Sequence, residues 1–92
     1  MYSVVLICEG VPVDTGQQLA LDVAEEFRHR PHHRNVLCMW TDGILTLTAD
    51  NDFDETGEAL ADEFSDAIAA NLSGPFGPIR IKSAGRIERN AV

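Results

Sequence analysis

Positive charge is scarce and confined in this chain. Its 92 residues carry seven Lys and Arg against fifteen Asp and Glu, a formal charge of −8. All seven cations fall in two short stretches, Arg28, Arg30 and Arg34, then Arg80, Lys82, Arg86 and Arg89. The remaining surface is acidic and repels phosphate backbones and anionic bilayers, so neither nucleic acid nor membrane is an expected partner. Long apolar runs are also missing. The run at residues 4–8 is too short for a signal-peptide core or a bilayer span, and a cytoplasmic location is expected. With two cysteines and no export signal, the thiols read as reduced rather than as a disulfide framework. There is no glycine-rich phosphate loop, and residues 44–49 lack the aromatics of an RNA-recognition strand. No cofactor is expected.

What remains is enough for a core. A hydrophobic content of 45% is ordinary for a globular chain, and the length fits one domain spanning residues 1–92. A domain of this size buries roughly 60 to 65% of its unfolded surface, so association with a second copy would add stability.

Residues 2–9 are apolar and β-branched, as a buried strand requires, and Gly10 and Pro12 end the run. Leu19, Ala20, Val23, Ala24 and Phe27 then recur at helical spacing, with Asp14 or Thr15 as the expected N-cap and Gln18 completing a capping box with Thr15. Pro31 stops that helix near His29. Two strand-like runs follow, separated by Asp42-Gly43, a two-residue hairpin signal. Asp54 is the expected cap of a second helix that carries Leu60, Phe64, Ile68 and Leu72 on one stripe, and residues 79–84 supply a fourth strand.

A shift of 41 positions lays the first half on the second: Val4 on Leu45, Leu6 on Leu47, Cys8 on Ala49, and Thr15-Gly16 on Thr56-Gly57. The halves are roughly residues 1–41 and 42–84, with a short C-terminal tail. The order βαββαβ is that of a ferredoxin-like α+β fold, which predicts a four-stranded antiparallel sheet of order 4-1-3-2 with both helices on one face. The hairpin then pairs Thr41 with Ile44, Trp40 with Leu45, Cys38 with Leu47 and Val36 with Ala49. Trp40, Val4, Leu6 and Cys8 should lie under the helices. Cys8 and Cys38, one strand apart across the third strand, are then about 10 Å from each other, too far for a disulfide, and both are expected in the core.

The opposite face is expected to show Val5, Ile7, Leu37, Met39, Ile44, Thr46, Thr48, Arg80 and Lys82. Five of these nine are apolar, and an uncovered face of that kind suits a homodimer interface or a surface for a small molecule or protein partner. The segment Arg28, His29, Arg30, His32, His33, Arg34 is a candidate anion or acidic-partner loop, gaining charge as pH falls through the histidine range near 6.5. Its three histidines fit no standard metal-ligand spacing, and the segment holds three arginines and no acid, so no metal is assigned to it. Asp14-Thr15-Gly16, with Ala84-Gly85-Arg86 near the end, resembles the signature of a retroviral aspartic protease. That likeness is confined to those residues, because a helix follows directly here.

No catalytic residue is assigned, since the histidines share one loop and both thiols are placed in the core. The sequence points first to a non-enzymatic interaction or small-ligand-sensing domain that self-associates through its open sheet face. The alternative is a small enzyme or metal-linked protein using His29, His32 and His33 with nearby acids such as Asp50 or Asp52.

Overall fold

The alternating and helical patterns form the elements they imply. The computed structural model describes residues 1–87, so Arg89 lies outside the described residues. Its elements are β1 (Tyr2–Cys8), α1 (Val13–Arg28), β2 (Arg34–Thr41), β3 (Ile44–Asn51), α2 (Glu58–Asn71) and β4 (Ile79–Arg86). All neighbouring strands are antiparallel in the order β2-β3-β1-β4, which is the expected 4-1-3-2 order read from the other edge. The element order and pairing are those of the ferredoxin-like arrangement.

Every second residue of the two central strands enters the core. Val4, Leu6 and Cys8 of β1 and Leu45, Leu47 and Ala49 of β3 cluster with Leu19, Val23 and Phe27 of α1 and Leu60, Phe64 and Ile68 of α2. Burying each large side chain stabilises by about 1.5 to 3 kcal/mol, so this cluster dominates the folding free energy. Trp40 packs against the same core from β2.

Asp42 and Gly43 have φ of 51° and 83°, the left-handed pair that a tight hairpin demands. They set Thr41 opposite Ile44, Trp40 opposite Leu45 and Cys38 opposite Leu47 as expected. Further along, the register departs from expectation. Arg34 pairs with Asp50, and an irregularity between Arg34 and Leu37 replaces the simple pairing of Val36 with Ala49. Asn35 accounts for it, because its φ of 52° bends the strand and its Nδ2 donates to Asp50 Oδ2 at 2.7 Å. Asparagine tolerates that conformation better than other non-glycine residues.

The helix starts also differ from expectation. At α1 the N-cap is Pro12, which offers no side-chain bond, so neither Asp14 nor Thr15 is the cap. Gln18 donates to Asp22 rather than completing a capping box with Thr15. At α2 the helix begins later than Asp54, yet Asp54 still serves it: Oδ1 accepts from Gly57 N at 3.0 Å and Oδ2 from Leu60 N at 2.9 Å. Asn51 Oδ1 in turn accepts from Phe53 N and Asp54 N, which fixes the loop that delivers the carboxylate.

Both cysteines are free, and β3 lies between their strands. Cys8 is buried; Cys38 is only partly so, because β2 is an edge strand. Among the described residues no helix is long and apolar enough to cross a membrane.

Candidate functional site

Two places gather the polar and apolar groups that the core does not use. The first is the face of the sheet that no described element covers. Its register puts Leu37, Thr48, Val5 and Ser83 in one row across the four strands, and Met39, Thr46, Ile7 and Arg80 in the next. Ile44 follows beside Thr41. Leu37 and Met39 are 51% and 55% exposed, whereas Val5, Ile7, Ile44, Thr46 and Thr48 are half-buried by their neighbours.

Along β4 a bulge lets Leu6 pair with Ile81 while Val5 pairs with Ser83, so Lys82 is left without a strand partner. Lys82 joins Ile7, Thr41, Asp42, Ile44 and Thr46 in lining a shallow cleft. Arg80 reaches Glu9 at 3.6 Å. Simple alternation along residues 79–84 gave no sign that Ser83 would enter the row beside Val5, because the bulge, and not the pleat, places it there.

The second place is the turn between α1 and β2. Pro31 prevents the helix from continuing, and a turn closes with His33 N donating to Arg30 O at 3.3 Å. The six residues of the expected loop then separate. Arg28 donates to Val36 O at 3.3 Å, exposed His29 lies 3.7 Å from Glu25, and Arg34 faces Asp50 across the strand pair. Arg30, His32 and His33 turn the other way, towards α2.

There His33 is buried, with its ring 5.0 Å from that of Phe27 and its Nε2 3.0 Å from Glu63 Oε2. Arg30 Nη1 donates to the other oxygen of Glu63, and its Nη2 lies 3.3 Å from Glu26. Exposed His32 stands edge-on to His33 at 5.2 Å and to Phe53 at 5.5 Å. Asp52 lines clefts beside His32.

Burial holds the His33 imidazole below the ordinary histidine range, against the upward pull of Glu63. The ring is therefore neutral near pH 7, and the short contact to a carboxylate requires the proton on Nε2, donated to Glu63. Nδ1 is buried with no hydrogen-bond partner among the described residues.

Donor atoms of His32, His33 and Glu63 all lie within 4.8 Å of one another. Of the acids that the sequence associated with the loop, Asp50 is engaged by Asn35 and Asp52 lies beside His32; the acid that bonds His33 is Glu63. Sequence reasoning missed it because α2 is distant in the chain, and only the packing of α2 beside α1 brings the two together. No protein-family model matches the chain, and no curated protein matches it either.

Proposed function

We propose that this chain is a non-enzymatic interaction or small-ligand-sensing module that homodimerises through the open face of its sheet. The observation that carries this reading is the exposure of Leu37 and Met39, neighbours along β2 on one face, with Val5 and Ile7 on β1 beyond Thr48 and Thr46. Solvent contact with exposed apolar side chains costs free energy that a matching surface removes.

Charge favours a second copy as that surface. Two chains of net charge −8 repel each other over most of their area. On this face Arg80 and Lys82 are cationic; the nearby Glu9 is met by Arg80, and Asp42 lines the cleft with Lys82. A twofold axis running along β3 between two facing sheets would bring Leu37 and Met39 of one copy over Val5 and Ile7 of the other. The hydroxyls of Thr46 and Thr48 would lie near the axis, with the cations towards the rim. The cleft beside Lys82, where Ile7 and Ile44 meet the Lys82 ammonium, the Asp42 carboxylate and the hydroxyls of Thr41 and Thr46, supports the ligand-sensing part of the reading.

Sedimentation velocity of the native chain and its Met39→Glu variant tests the dimer. The expected result is a concentration-dependent dimer whose dissociation constant rises at least about tenfold in the variant, while thermal stability of the monomer is kept. A native chain that remains monomeric at high concentration, or a variant that dimerises as well as the native chain, refutes it.

A further inference from the structure

The cluster at the turn between α1 and β2 has the composition and spacing of a metal centre. We propose that His32, His33 and Glu63 form a binding site for one zinc ion. Two imidazoles and a carboxylate are a donor set that zinc accepts, and tetrahedral ligand bonds of about 2.0 to 2.2 Å place neighbouring donors about 3.3 to 3.6 Å apart. His33 Nε2 and Glu63 Oε2 stand 3.0 Å apart, so a small separation of the two would admit the ion, and the donor atoms of all three residues lie within 4.8 Å of one another. His32 is exposed, and turning its ring from its edge-on packing against His33 and Phe53 would close the remaining distance, leaving the fourth position open to water.

The surroundings fix the other two donors. Arg30 holds one oxygen of Glu63 and directs the second at His33, the kind of outer contact that orients a metal ligand. Phe27 and Phe53 wall the His33 ring. Zinc would take the place of the proton between Nε2 and Oε2.

Of the three arginines in the segment, Arg28 binds the carbonyl of Val36 and Arg30 is shared between Glu26 and Glu63, while Arg34, opposite Asp50 in the strand register, lines a cleft with His32 and Asp52. Arg30 with its two carboxylates sums to a single negative charge, which favours a divalent ion.

Calorimetric titration of zinc into tag-free, chelator-treated native chain is the test, with His32→Ala and His29→Ala as paired variants. Both histidines are exposed, so both variants should fold as the native chain does. The proposal expects one zinc per chain, a melting temperature that rises with zinc, and affinity at least about tenfold weaker in His32→Ala but unchanged in His29→Ala. Glu63→Gln should weaken binding as well. Failure to saturate at one zinc per chain, full affinity in His32→Ala, or equal losses in the two histidine variants would overturn it. None of these outcomes depends on whether the chain dimerises.

Discussion

Gly16 of α1 lies directly against the indole of Trp40 on β2. A Cβ built on Gly16 would fall among the Nε1, Cδ1 and Cε2 atoms of that ring, and the indole cannot simply withdraw, because its Nε1 donates to Val11 O at 3.0 Å. The missing side chain lets the helix seat close to the edge strand. It also lets a large aromatic cover the end of the core without losing its hydrogen bond.

Gly16→Ala should therefore destabilise the fold. In an exposed helix interior the change would stabilise by about 1 kcal/mol. Here overpacking against Trp40 opposes it with about 1 to 3 kcal/mol, and the net effect is a loss. Urea unfolding followed by tryptophan fluorescence measures it, and an unchanged or higher midpoint would show that the indole shifts without cost.

The two aspartates near the helix starts should behave unequally. Asp54→Ala removes a buried carboxylate that accepts from Gly57 N and Leu60 N, with an expected loss of about 1 to 3 kcal/mol. Asp14 is an exposed first-turn residue of a helix whose cap is Pro12, so Asp14→Ala removes only a favourable charge near the helix dipole, within about 1 kcal/mol. Similar losses in thermal unfolding would contradict the assignment of Asp54 as the capping group.

Strand faces, hairpin register and sheet order were legible because they follow from local rules. Alternation decides the face, and Asp42-Gly43 has essentially one good hairpin geometry. The matched Thr-Gly pairs of the 41-residue shift play different parts. Gly16 sits inside a helix against Trp40, while Gly57 takes a left-handed φ of 85° at the N-cap of α2. A glycine states what is absent, and only the neighbour that fills the space gives the absence its meaning.

The candidate sites were legible in different degrees. Val5, Ile7, Leu37 and Met39 share the uncovered face because the strand period puts them there. The grouping of His32 and His33 with Glu63 depends on how α2 lies beside the turn, which no local pattern records. The bulges at Asn35 and Lys82 were likewise unreadable, since each adds a residue on one strand without a break in composition. Their effects are specific: one sets Arg34 opposite Asp50, and the other brings Ser83 beside Val5.

Cys38 makes stability depend on alkaline pH. Burial pushes its thiol from 9.0 up to about 12, with Arg28 opposing the shift. Between these values the unfolded chain releases the proton and the folded chain keeps it, so the folded state binds more protons there and stability falls as pH rises. The contribution is complete below pH 9 and is lost progressively up to about 12. Cys38→Ala should weaken this slope while lowering stability at pH 7 through lost packing, which separates the two effects in urea midpoints measured at pH 7 and pH 10. Because the thiolate is the reacting species, native Cys38 should also alkylate at pH 8 at least about 100-fold more slowly than an unfolded thiol. Rapid modification of the folded chain, or parallel pH slopes for the native protein and Cys38→Ala, would show that the thiol ionises freely in the native state.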